Sequence, residues 1–289
     1  MQMMEISPCV TAVIRPTEGA NASLIHTDEG VVVVDTTSCA ADMKVLLDAA
    51  EVSPVDVCLV INTHKHSDHT WGNQLFGCPI LAHRLCREAM EAHLDNEWRL
   101  ASIRASIVER GRSDPQWAAE MQEKIDGLQI TLPTQTFDLH QDLVIGGVQI
   151  EVIHLGGHTP GSSVVWLPEA KVLFSGDLLF VERYPFIGDA DIPDLIAALK
   201  RLRAFEAQSI VPGHGPLCGD AEIVSMLDYL GETWSRTVDH LAQGHTADEA
   251  ASDPAYPRYA EGAAERYHET SIRVMYSQLA HGEACTLTS

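Results

Sequence analysis

The stretch INTHKHSDHTWG, residues 61–72, puts His64, His66, Asp68 and His69 within six positions, directly after the apolar run Val57-Cys58-Leu59-Val60-Ile61. The run reads as a buried strand. If its polar continuation Thr63-His64-Lys65-His66 stays extended, alternation places His64 and His66 on one side and Lys65 on the other. Two imidazoles on one side can share a metal ion. Asp68 stands where a helix can begin, so Asp68 and His69 can turn toward a second ion close by. A lone histidine is ordinarily satisfied by its neighbours in the core or at the surface. HxHxDH at the end of an apolar strand is not explained that way.

Three more apolar strands run into candidate ligands in similar settings. Val148–Leu155 leads into GGHTPGS and His158, Lys171–Phe174 into SGD and Asp177, and Ile210–Val211 into PGHG and His214. Each places one ligand type at the C-terminal edge of a strand, flanked by glycines that let backbone crowd around a bound group. Four such coincidences point to one site.

Around these motifs the chain divides into two β-rich blocks separated by helices. Val10–Ile14, Leu24–His26 and Val31–Asp35 read as strands, a helix fits Ala41–Ala50, and Pro54 breaks the chain before the strand Val57–Ile61. Over residues 83–128, apolar stripes at helical spacing (Cys86, Met90, Leu94; Leu100, Ile103, Ile107; Trp117, Met121, Ile125, Leu128) predict three short helices. Gly111 ends the second helix, and Asp114 with Pro115 caps the third. Such an insert suits a lid or a homodimer contact, or simply covers the sheet. The second block holds Val148–His154, Ser163–Leu167, Val172–Ser175 and Ser209–Val211 as strands. A helix capped by Asp191 carries Ile192, Leu195, Ile196, Leu199 and Leu202 on one face. The rest, over 219–289, is mainly helical with breaks at Pro254 and Pro257. The loose repetition of plan favours a single domain of two packed sheets with helices outside.

Composition narrows the function. Net charge is −22 over 289 residues, a surface that repels phosphate backbones, so nucleic acid is not an expected partner. No apolar run approaches the roughly 18 residues that span a bilayer, and the N-terminus MQMMEISPCV lacks a basic segment followed by a long apolar one. No membrane partner is expected, and the expected compartment is the cytoplasm. The seven cysteines, without CxxC spacing, read as reduced thiols; Cys218, four residues after His214, reads as packing near the site.

The ordered set THKHSDH, GGHTPGS, FSGD and PGHG, spanning residues 63–215, resembles the metallo-β-lactamase superfamily. The resemblance implies an α/β fold, a four-layer αβ/βα sandwich, carrying the helical insert and the helical C-terminal region. It also implies a ligand set. His64, His66 and His158 hold one ion, Asp68, His69 and His214 the second, and Asp177 bridges them. Imidazole and carboxylate without thiolate suit two Zn²⁺, and iron or manganese fit the same donors. Such a pair lowers the pKa of a bridging water, and the resulting hydroxide attacks a small-molecule substrate. Asp68 is the expected catalytic residue, orienting the water or carrying its proton.

The expected reaction is hydrolysis of an ester-like bond in a lactone, thioester or related acyl compound. Asp177 at the bridging position resembles the glyoxalase II and lactonase-like branches, whereas zinc β-lactamases usually carry Cys or Ser there. Phe180 stands where many lactonases carry a Tyr, with Tyr184 one turn further, and Arg183 is the nearby cation that an anionic substrate group would meet. The alternatives are a mononuclear iron dioxygenase of the persulfide dioxygenase type and a β-lactam hydrolase. Asp35 resembles a group that supports the metal loop, and Trp71, Phe180, Tyr184 and Phe186 are candidates for an apolar substrate pocket.

Overall fold

The computed structural model describes residues 1–15, 19–260 and 265–286, the last segment with side chains over 267–281. Seven strands form the first sheet: β1 (Gln2–Ser7), β2 (Val10–Ile14), β3 (Ala22–Thr27), β4 (Gly30–Val34), β5 (Val57–Ile61), β6 (Ile80–His83) and β7 (Gln135–Phe137), in spatial order 1 to 7. The first three pairings are antiparallel and the last three parallel. The second sheet contains β8 (His140–Ile145), β9 (Val148–His154), β10 (Ser163–Leu167), β11 (Val172–Phe180) and β12 (Ser209–His214), ordered β12-β11-β10-β9-β8. Only β11 and β12 pair in parallel there.

Strand alternation builds the layers. Val32 and Val34 on β4 face a core shared with Val165 and Leu167 of β10 and Phe174 of β11, which is the seam between the sheets. Their neighbours Val31 and Val33 turn outward against Met43, Leu46 and Leu47 of α1 (Ala40–Ala49). Val164 and Trp166 turn the other way, against Leu195, Leu199 and Leu202 of α6 (Ile192–Arg203) and Met226 and Leu230 of α7 (Asp220–Ala242). Helix, sheet, sheet, helix is the four-layer αβ/βα sandwich expected from the sequence.

The insert comprises α3 (Arg84–Leu94), α4 (Leu100–Arg110) and α5 (Pro115–Lys124), and connects the parallel strands β6 and β7. Its start is corrected by one residue, because His83 closes β6 and caps α3 by accepting from the Leu85 backbone N–H. Its end is also corrected: α5 stops at Lys124, while Ile125 and Leu128 remain buried with Trp71, Ile103 and Ile107. Gly111 and Asp114 cap α4 and α5 as expected. After α7 come α8 (Ala247–Ala251) and α9 (Glu265–Thr286), with a non-helical break across Pro254 and Pro257. Of the C-terminal region, residues 261–264 and 287–289 lie outside the described residues, as does the Cys285 side chain. The other six cysteines are free thiols. Among the described residues no helix is long and apolar enough to cross a membrane.

Candidate metal centre

The structure brings all seven predicted ligands together, through two details the sequence concealed. Residues 63–65 are bends rather than an extension of β5, so strand alternation does not orient His64 and His66. The loop does so instead, turning His64 Nε2 to within 3.0 Å of His66 Nδ1 while Lys65 reaches away to Asp189. Likewise Asp177 does not end its strand. Strand β11 continues to Phe180, with its register against β12 shifting on either side of Gly176. Gly176, at φ +50°, takes the left-handed turn that aims Asp177 inward. Gly213 makes room for it, since a Cβ there would lie 2.0 Å from Asp177 Oδ1. His69 follows from the four-residue helix α2 (Ser67–Thr70), which starts after His66.

The donors sort into two groups. His64, His66, His158 and Asp177 bring one donor atom each within 4.8 Å of one another, and Asp68, His69 and His214 form a second such group. Asp177 lies between them. Its Oδ2 is 3.6 Å from His64 Nε2 and 3.4 Å from His158 Nε2. Its Oδ1 is 3.0 Å from His69 Nε2 and 3.4 Å from His214 Nε2. Asp68 Oδ2 completes the second group, 3.3 Å from His214 Nε2. A tetrahedral shell with bonds of about 2.0–2.1 Å has ligand-to-ligand edges of about 3.3–3.4 Å, so these spacings fit two ions sharing one carboxylate.

Hydrogen bonding assigns the tautomers, and they agree with that fit. His69 Nδ1 donates to Asp35 Oδ2 at 2.7 Å and His214 Nδ1 to the Gly19 carbonyl at 3.0 Å, which turns both Nε2 atoms toward Asp177 Oδ1. Thr63 Oγ1 donates to Asp35 Oδ2, so it accepts from His64 Nδ1 and leaves His64 Nε2 a lone pair. His66 Nε2 donates to Asp189 Oδ2 at 2.9 Å, turning the Nδ1 lone pair inward. Two lone pairs 3.0 Å apart repel unless a cation lies between them. His69 Nε2 and Asp177 Oδ1 are both buried and 3.0 Å apart, so in the absence of a metal ion a proton lies between them.

The electrostatics differ between the two groups. Burial pushes His64 well below the usual imidazole range and His158 down to about 3, so both are neutral. Burial also opposes charge on His69 and His214. There the Asp177 carboxylate, aided by Asp35 and Asp68, outweighs it, raising His69 well above its usual value and His214 to about 9. Asp68 and Asp177 are held well below the usual carboxylate range, because the neighbouring imidazoles overcome the burial that would raise them.

Support behind the ligands was only partly legible. Asp35, at φ +60°, accepts from the Thr63 backbone N–H at 2.8 Å as well as from Thr63 and His69 side chains. Behind α2, Thr36, Asn62 and Asn73 bond one another and the His69 carbonyl. Sequence reading missed Asp189, which accepts from both His66 and Lys65, because nothing local marks a loop aspartate 123 positions from its partner.

A cavity of about 1180 Å³ opens over Asp68, Asp177 and His214. Phe180, Tyr184, Phe186 and Arg183 line it, and from the insert Trp98, Trp117 and Met121, so the insert walls the site. Phe180 stacks on His214 with ring centroids 5.1 Å apart. Arg183 is not a plain exposed arginine, since its Nη1 lies 3.1 Å from His214 Nδ1. Trp71 does not line the cavity and takes the core role, packing against Trp98 in the insert. The Cys218 thiol is pushed up to about 12 by burial and contacts the Ile210 carbonyl, a packing role.

A linear primary-alkylsulfatase of Pseudomonas sp. is 27% identical over 267 residues, 83% of this chain and 50% of its own length. The acyl-coenzyme A thioesterase MBLAC2 of Homo sapiens is 28% identical over 212 residues, 68% of this chain and 72% of that protein. The chain thus spans half the length of the alkylsulfatase relative. In structure it resembles the stereoselective inverting sec-alkylsulfatase of Pseudomonas sp., with TM-score 0.74 and 18% identity over 96% of this chain and 50% of that one. The family model described as the metallo-beta-lactamase superfamily matches residues 15–214, the span that holds every predicted ligand. The four motifs, the αβ/βα layers and this match together place the chain in the metallo-β-lactamase superfamily.

Proposed function

We propose that the chain is a metal-dependent hydrolase with two ions, zinc by donor type, that cleaves an ester-like bond in a lactone, thioester or related acyl compound. The observation that carries the reading is the shared Asp177 carboxylate, with one oxygen toward each histidine group. When bound, the ions supply Lewis acidity, lowering the pKa of a coordinated water toward neutrality and polarising the oxygen of the bond to be broken. The chain supplies position. His64, His66, His158 and Asp177 form one donor set, and Asp68, His69, His214 and Asp177 the other. Asp68 is 30% exposed and stays ionised, so it orients a water by accepting its proton in a hydrogen bond rather than keeping it. Phe180, Phe186 and Trp98 give the cavity an apolar wall beside these donors. The thioesterase relative supports the thioester choice.

A sulfate-ester substrate is the second reading. It is favoured by the alkylsulfatase relative, whose similarity runs along 83% of this chain. Both readings are tested on zinc-loaded protein in a pH-stat against an acyl-homoserine lactone, a simple lactone, an acyl thioester, a β-lactam, a sulfate ester and a phosphodiester. Turnover of the acyl compounds supports the first reading, and of the sulfate ester the second. Silence with one iron per chain contradicts both and returns the dioxygenase alternative.

A further inference from the structure

The metal centre leaves one part of the cavity unexplained. Arg15, just beyond β2, and Lys124, on the last turn of α5, line the same cavity as Asp68, Asp177 and His214. Both cations reach one carboxylate, with Arg15 Nη2 and Lys124 Nζ each 3.2 Å from Asp42 Oδ2. Among the described residues, one anion between these two cations leaves a positive charge unmatched. It is also the wrong sign for chance in a chain of net charge −22. Arg15 Nη1 is buried and has no hydrogen-bond partner among the described residues, although the guanidinium carries more donors than most side chains. A buried donor left without a partner is a cost to the fold.

The group stands close to the metal centre. The Gly19 carbonyl accepts from His214 Nδ1 at 3.0 Å, and a Cβ on Gly19 would lie 3.0 Å from Arg15 Nη1. A single residue therefore separates the guanidinium from a candidate ligand. The other charged groups lining this end are Arg110, stacked 4.3 Å over the Trp117 ring, and Glu120.

We propose that Arg15, with Lys124 beside it, is a subsite for an oxyanion carried by the substrate away from the bond that is cleaved. The word substrate here rests on the hydrolase reading above; the anion site does not. Asp42 holds the two cations in place at the wall of the cavity through Arg15 Nη2 and Lys124 Nζ. A planar guanidinium paired with a mobile ammonium suits carboxylate, sulfate and phosphate alike. The insert thus does more than cover the site: its α5 supplies half of the charge that selects an anionic over a neutral substrate.

The test uses the full, zinc-loaded chain titrated calorimetrically with monomethyl succinate, methyl sulfate, monomethyl phosphate and the neutral dimethyl succinate. Arg15→Gln is expected to weaken the preferred anion about tenfold or more, as for loss of a charge-assisted hydrogen bond. Lys124→Gln is expected to weaken it severalfold, Arg15→Lys to retain part of the affinity, and dimethyl succinate to show no dependence on either residue. The ranking of the three anions names the oxyanion. Equal anion affinity in the parent protein and Arg15→Gln overturns the proposal, because the anions then bind at zinc alone. Should Arg15→Gln fail to fold, unchanged affinity in Lys124→Gln, a side chain 30% exposed, overturns it equally. The two readings fail separately. Arg15-dependent anion binding without hydrolysis of any ester removes the hydrolase reading and leaves the subsite. Ester hydrolysis with no Arg15-dependent anion preference removes the subsite and leaves the hydrolase.

Discussion

Removing Asp189 should weaken metal binding at one half of the centre and spare the other. Its Oδ2 accepts from His66 Nε2 at 2.9 Å and from Lys65 Nζ at 2.7 Å, so it fixes both the ring orientation of His66 and the tautomer that turns Nδ1 inward. His66 and then Lys65 hold its carboxyl well below the usual carboxylate range. Loss of a partner behind a metal-ligating histidine typically costs 10–100-fold in affinity, about 1.4–2.7 kcal/mol. Asp189 is 41% exposed and water can replace it, which places the effect near the lower limit, about tenfold. In a competition titration against a chromogenic zinc chelator, Asp189→Ala should show that loss in one of two binding steps only. The affected step belongs to His64, His66 and His158, and the step belonging to Asp68, His69 and His214 should stay within about twofold. Asp189→Asn, which keeps an acceptor oxygen, should fall between. Unchanged affinity in both steps, or equal loss in both, refutes the reasoning.

Other consequences follow from the same geometry. Gly213→Ala puts a methyl group onto Asp177 Oδ1, so it should lose at least one metal equivalent by elemental analysis while keeping the parent circular-dichroism spectrum. In the metal-free protein His214, raised to about 9, and His69 hold protons at pH 7 that a metal must displace. Affinity at that half should therefore rise with pH above 7, with proton release at pH 7 seen by calorimetry in buffers of different ionisation enthalpy and falling as the pH passes the His214 value of about 9. His64 and His158, already neutral through burial, should give their half little dependence across that range. Leu47→Ala, deep between α1 and the first sheet, should cost about 2–5 kcal/mol in urea denaturation with the metal-site ligands untouched.

Much of this architecture was legible wherever local chemistry and tertiary environment agree. Strands β5, β9 and β10 match their sequence-derived limits because β5 and β10 are dense apolar runs and β9 alternates apolar with polar residues from Val148 to Val152. The caps of α4, α5 and α6 were readable because capping is decided within a few residues. The strands that went unread lack such a signature. Strand β1 is an edge held to β2 by backbone pairing, β7 has three residues, and β6 is four buried residues running straight into α3. Edge strand β8 leaves Val144 exposed, blurring its pattern. In the site, the seven candidate ligands stand out through residue type and spacing. The bend at residues 63–65, the register shift about Gly176 and the reach of Asp189 belong to tertiary packing and leave no local trace.

Metal stoichiometry tests the central claim most directly. Zinc titrated into chelator-treated protein, read by elemental analysis after gel filtration alongside ester hydrolysis, should bind two equivalents per chain, one for each donor set. Activity should appear with the filled pair, and Asp177→Ala, which removes the shared carboxylate, should lose bound metal and turnover together. Saturation at one equivalent with full activity, or full turnover by Asp177→Ala, would contradict the account.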